Sequence, residues 1–141
     1  PGTVSFELLE SIFLDDTDEV VSQNIERLKL LGIDIDIDDF GTGHASIAGL
    51  LKLKPKRLKI DRQFVLPIVE SAEKRRLTSS MIDMAKALNI EVVAEGVETL
   101  EHAQVLQELG CNMLQGYVFS RPIPAADVEA FVQDYNRRLT A

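Results

Sequence analysis

Apolar and polar residues alternate from the start of the chain. In TVSFELLE, residues 3–10, Val4, Phe6 and Leu8 stand against Thr3, Ser5 and Glu7, the two-residue period of a strand. The period then lengthens. DDTDEVVSQNIERLKLLG has an acidic start and Val21, Ile25 and Leu28 at helical spacing, and Gly32 offers a left-handed C-cap to stop that helix. GIDIDIDDFGTG returns to alternation, with Ile33, Ile35 and Ile37 on one face and Asp34, Asp36 and Asp38 on the other. HASIAGLLKL predicts a short helix ended near Pro55, and RLKID a third strand with Leu58 and Ile60 opposite Lys59 and Asp61. Leu77, Met81, Met84 and Leu88 share a helical stripe, read as core, that leads into the strand EVVAEGVE. Thr99 can cap LEHAQVLQELG, Gly110 precedes the strand NMLQGYVF, and the amphipathic helix AADVEAFVQDYNRRL follows. Five strands, each followed by a helix, argue for one α/β domain with a parallel sheet of right-handed βαβ units.

Composition narrows the function classes. The chain has 141 residues, 45% of them hydrophobic, enough for a real core, and a net charge of −8. That balance disfavours a DNA or RNA polymer as partner, because phosphate backbones are bound by lysine and arginine with release of counterions. A single cysteine, Cys111, excludes an internal disulfide framework, fits a reducing compartment and reads as core filling. No run approaches the ~18 apolar residues of a membrane span, so the segment is expected to be cytoplasmic and without membrane contact. The chain begins at Pro1 rather than methionine, which leads us to expect a piece of something longer.

Candidate chemistry gathers at strand ends. In parallel α/β proteins ligands bind beyond the C-terminal ends of the strands. Glu7, the pair Asp38 and Asp39, Lys59 with Asp61, Glu95 with Glu98, and Gln115 lie at or just past the ends of five different strands. If the sheet curls into a barrel, these side chains share one mouth, and the carboxylates need a counter-charge. Oxygen-only donors suit hard cations such as Mg²⁺, Mn²⁺ or Ca²⁺, whereas zinc recruits histidine or cysteine. His44 and His102 lack metal-ligand spacing, and His102 is expected on the surface of its helix. Adjacent aspartates suit two ions about 3.5–4 Å apart, the arrangement used in phosphodiester hydrolysis.

Several neighbours admit two readings. The glycine turn DDFGTG fits a phosphate cradle lacking the full dinucleotide spacing, and equally a tight βα turn in which Gly41 and Gly43 take positive φ. Phe40 can pack under that turn or stack on a base. The basic run Lys52, Lys54, Lys56 and Arg57 reads as a solvated connection around Pro55.

The segments FELLES, IDDFGTG, LKIDRQFV, VVAEGVET and QGYVFSRP, in this order and spacing, resemble the EAL-domain cyclic di-GMP phosphodiesterases of bacteria over nearly the whole chain. The resemblance implies a TIM-like (β/α) barrel that hydrolyses cyclic di-GMP to linear pGpG with Mg²⁺ or Mn²⁺. It makes Glu7, Asp38, Asp39 and Glu95 metal ligands, with Asp38 bridging and Asp61 at their edge. Lys59 resembles the lysine that contacts the attacking water, and Glu95 is also given a general-base role. Glu98 and Gln115 resemble supporting or substrate-binding residues. Glu10 resembles the glutamate that holds the glycine-turn loop, a segment linked to dimerisation.

Two departures qualify it. The Glu-Ala-Leu signature and a following metal-binding Asn are absent from the chain, and five strands fall short of a barrel's eight and its ~250 residues. We therefore expect residues 1–141 to be the C-terminal portion of one EAL domain, about five βα units. One metal position would be incomplete, the fragment nearly inactive, and its open sheet edges or loop region prone to self-association. The family's Tyr-Ser-Ser after the glycine turn is here His44, Ala45 and Ser46, which removes a side-chain hydrogen bond expected to hold Glu10. A degenerate EAL module binding cyclic di-GMP or a partner protein without catalysis is the alternative, and a Schiff-base Lys59 a weaker third. Asp36 is expected inside the barrel below the metals, protonated, hydrated or facing the absent half. Asp34 lies deeper, toward solvent at the other end.

Overall fold

A computed structural model describes residues 4–10, 19–43 and 46–139. Its five strands are β1 (Ser5–Leu9), β2 (Asp34–Phe40), β3 (Arg57–Ile60), β4 (Glu91–Ala94) and β5 (Met113–Leu114). All neighbours pair in parallel, in the order β1-β2-β3-β4-β5. That sequential order is the winding of a (β/α) barrel; a doubly wound sheet would reverse direction partway. The helices are α1 (Glu19–Leu30), α2 (Ile47–Leu53), α3 (Arg62–Val65), α4 (Ala72–Ala87), α5 (Leu100–Glu108) and α6 (Val128–Leu139), with short 3-10 turns at Leu66–Ile68 and Ala125–Asp127.

The alternation of the strands divides the sheet. Ile35, Ile37, Leu58, Ile60, Val92 and Ala94 are buried toward the helices, in one core with Leu50, Val65, Ile68, Ile82 and Leu106. The charged positions of the same strands therefore fall on the opposite, concave face. Helix starts follow local chemistry: Ser46, Asp61, Ser71 and Thr99 each accept a backbone N–H of the following first turn. Gly32 and Gly110 take the expected left-handed conformation after α1 and α5.

Four expectations are corrected. No element was expected between RLKID and Ser71, yet α3 and its 3-10 continuation occupy that stretch, Pro67 fitting the first turn because its missing N–H is not needed there. The buried face of α4 is Thr78, Ile82 and Ala85, with Leu77 exposed and Met81, Met84 and Leu88 only flanking the core. His102 is buried, 9% exposed, because it shares the inward face of α5 with Val105 and Leu106 at i+3 and i+4. Arg57 is no part of a solvated connection, since it opens β3 on the concave face. Cys111 is partly buried against the core as expected, and burial pushes its thiol up from the ordinary value. His44 and Ala45 lie outside the described residues. No helix among the described residues is long and apolar enough to cross a membrane.

Candidate active site

Asp38 and Asp39 are consecutive, so a regular strand would send them to opposite faces. The β2–β3 register shows how both reach one place. Asp36 pairs with Arg57 and Ile37 with Leu58, but the next partner pair is Phe40 with Ile60. Asp38 and Asp39 thus stand opposite the single residue Lys59, which is a β-bulge. Asp39 carries φ +54°, a left-handed conformation that aspartate tolerates better than most residues. The extra residue also returns Phe40 to the buried face beside Ile35 and Ile37, so Phe40 packs under the turn.

At this bulge, carboxylate oxygens of Asp38, Asp39 and Glu95 lie within 4.8 Å of one another. Lys59, 7% exposed, places its Nζ 2.8 Å from Glu95 Oε1, 2.9 Å from Glu7 Oε1 and 3.0 Å from Asp38 Oδ1. Asp38 Oδ1 is buried, and the Lys59 ammonium 3.0 Å away is the group that holds it. Burial alone would lower the Lys59 ammonium below its ordinary value, but the ion pairs with Glu95, Glu7 and Asp38 outweigh burial and hold it above that value. Asp39 is raised as well, which in a carboxyl favours the neutral form: burial, then the charges of Asp38 and Asp61 and a hydrogen bond with Asp61, raise it, while Lys59 opposes them.

The remaining predicted residues separate by position. Glu7 meets the group through Lys59 and is half exposed. Asp61 borders Asp39, but its Oδ1 accepts the N–H of Gln63, 2.8 Å, as the cap of α3. Gln115 lines the same cleft as Glu7, Lys59, Asp36 and Arg57, about 600 Å³ in volume. Glu98 is exposed beyond β4 and is not brought to that cleft.

Glu10 settles the glycine turn. Its carboxylate, 4% exposed as a residue, accepts the backbone N–H of Gly41 at 3.1 Å and of Gly43 at 2.6 Å. The turn therefore cradles a carboxylate of its own chain through these backbone amides. Ser46 is engaged elsewhere, its Oγ accepting the N–H of Gly49 as the cap of α2. Of the two turn glycines, Gly41 has the positive φ, +99°, and a Cβ there would fall 2.6 Å from Met81 Cε and 2.7 Å from Phe64 Cε2.

The acidic stripe of β2 is matched by cations from β3 and its approach. Lys56 Nζ is 2.6 Å from Asp34 Oδ2. Arg57 holds Asp36 with Nε 3.0 Å from Oδ1 and Nη2 2.9 Å from Oδ2. Asp36 is thus held by Arg57 through both of its carboxylate oxygens. Reasoning from sequence missed Arg57 as a partner of the site, although the parity of RLKID already put it on one face with Lys59 and Asp61.

An α/β segment with three clustered carboxylates and one buried lysine at its strand ends has an all-oxygen donor set of the kind hard cations take. The comparisons are more specific. The EAL-domain profile matches residues 1–122. The chain is 40% identical over 132 residues to the cyclic di-GMP phosphodiesterase NbdA of Pseudomonas aeruginosa, covering 94% of this chain and 17% of that protein. Among solved structures, the PaMucR phosphodiesterase in complex with c-di-GMP superposes with a TM-score of 0.84 at 38% identity, covering 91% of this chain and 51% of that one. Klebsiella pneumoniae BlrP1, solved with manganese and c-di-GMP, gives 0.78 at 35% identity, covering 86% and 31%. The chain belongs to the EAL domain family. It spans less than a third of the length of NbdA and about half of the PaMucR chain.

Proposed function

We propose that this chain carries the greater part of the active centre of a cyclic di-GMP phosphodiesterase, which cleaves one phosphodiester of the cyclic dinucleotide to give linear pGpG. The observation that carries this reading is the bulge, which turns Asp38 and Asp39 to one side beside Glu95 and Lys59. The donor set fits Mg²⁺ or Mn²⁺, being all oxygen and closely spaced. Bound there, such ions stabilise the attacking and leaving oxygens of the displacement.

In this reading Asp38, Asp39 and Glu95 would hold one ion, and Asp38 with Glu7 would serve a second, which is incomplete without ligands from outside the chain. Lys59 stays cationic at neutral pH and orients the attacking water, while Glu95 accepts its proton. A charged ammonium is the wrong state for Schiff-base chemistry. Gln115 faces the nucleotide from the cleft and Asp61 steadies Asp39. Five βα units in an open sheet support the assignment of residues 1–141 to the C-terminal portion of one EAL domain, nearly inactive by itself.

The test is incubation with cyclic di-GMP and Mn²⁺, with pGpG followed by chromatography and mass detection. The polypeptide extended upstream of Pro1 is expected to release pGpG and Asp38→Asn to abolish it, while residues 1–141 release only traces. Nucleotide binding without turnover by the extended polypeptide would establish the non-catalytic module instead.

A further inference from the structure

Below the carboxylate cluster the concave face carries a second charged pair that the proposed chemistry does not use. Asp36 is 3% exposed, and both of its oxygens are taken by the fork of Arg57. Across the sheet Asp36 is the strand partner of Glu7 on one side and of Arg57 on the other, with Glu91 next to Arg57. Without the guanidinium, Asp36 would add an unhydrated negative charge two residues before Asp38 on the same face.

The place of this pair along the ladder matters more than its charge. Asp36–Arg57 is followed by one regular pair, Ile37–Leu58, and then by the bulge that ends at Phe40–Ile60. A bulge displaced by one residue along β2 would turn Asp39 or Asp38 away from Glu95 and push Phe40 out of the core. A planar, two-bond contact fixes the rung below the bulge more tightly than a single contact does.

We propose that the Asp36–Arg57 pair is a positioning clamp: it pins the β2–β3 register so that the bulge presents Asp38 and Asp39 together to a divalent ion. The inference rests on the reading of Asp38, Asp39 and Glu95 as ion ligands. Its test is Mn²⁺ affinity of the 141-residue chain, by calorimetry and by the electron paramagnetic resonance signal of the bound ion, with thermal midpoints measured alongside. The double variant Asp36→Asn with Arg57→Gln leaves net charge unchanged, so a fall in affinity reports geometry. We expect about 10-fold weaker Mn²⁺ binding, the lower end of the range for residues that orient metal ligands, and a broadened resonance. Arg57→Lys keeps the charge but loses the fork, and an intermediate loss of about 3-fold is expected from the same reasoning. If the double variant does not fold, Arg57→Lys decides the matter. A lowered midpoint with unchanged Mn²⁺ affinity and spectrum would overturn the clamp alone. Failure of the unmodified chain to bind Mn²⁺ would overturn the ligand reading and the clamp with it.

Discussion

Replacing Lys59 with methionine removes an ammonium shared by three carboxylates while keeping the length and apolar stem of the side chain. Lys59 lies 2.8–3.0 Å from Glu95, Glu7 and Asp38. Deleting one partner of a buried ion pair costs about 3–5 kcal/mol. Here the lower end applies, because the Glu7 side chain is 50% exposed and solvent screens it. About 3 kcal/mol in a domain of this size corresponds to a fall of roughly 9 °C in thermal midpoint. A divalent ion can replace the missing charge. At a free concentration about 100 times its dissociation constant it contributes about 2.7 kcal/mol, so Mn²⁺ should restore most of the lost midpoint. The assay is thermal denaturation followed by circular dichroism, with and without Mn²⁺. The Mn²⁺-induced rise should be larger for Lys59→Met than for the unmodified chain, even though the variant, in the extended polypeptide, loses cyclic di-GMP turnover. An unchanged midpoint in the variant, or an equal response of both chains to Mn²⁺, would refute the shared-ammonium account.

Other consequences follow from the same geometry. Glu10→Ala removes a charged acceptor from the Gly41 and Gly43 amides and should cost about 2 kcal/mol, read as faster amide hydrogen exchange at those two positions; unchanged exchange would deny Glu10 its anchoring role. Asp39 has its carboxyl raised above 3.8, so its contribution to stability is present at low pH and lost as pH rises through the raised value. Asp39→Asn should therefore stabilise the metal-free chain near neutral pH and have no such effect below about pH 4, checked by denaturant midpoints across pH. Mn²⁺ affinity should fall on acidification, as protons compete for the same oxygens. The β1 edge exposes Val4, Phe6 and Leu9, so the isolated chain should self-associate with rising concentration. Light scattering that shows a monomer throughout would contradict that.

The strand faces were legible because burial imposes a period of two: Ile35 and Ile37 went to the core, and Asp36 to the cleft on the other face, as alternation requires. The helix start at Thr99 was equally local. What alternation could not supply was the bulge. A pattern of period two places Asp38 and Phe40 on one face, and only the pairing of β2 with β3 shows the extra residue that brings Asp39 round and buries Phe40. Asp36 was illegible for a related reason, since its partner Arg57 lies 21 residues away and sheet register decides their meeting. Glu10 accepts from the backbone amides of Gly41 and Gly43, which every sequence carries and none advertises. Strand lengths were overread at NMLQGYVF, where only Met113–Leu114 pairs, because only Val93 and Ala94 of β4 have partners there.

The central claim is that Asp38, Asp39 and Glu95 form a divalent-ion site. It is tested most directly by titrating the chain with Mn²⁺ and counting bound ions, in the unmodified form and in Asp38→Asn. The account predicts saturable binding of one ion per chain at the intact position, weakened at least about 100-fold by the substitution. No saturable binding, or binding indifferent to Asp38, would contradict it.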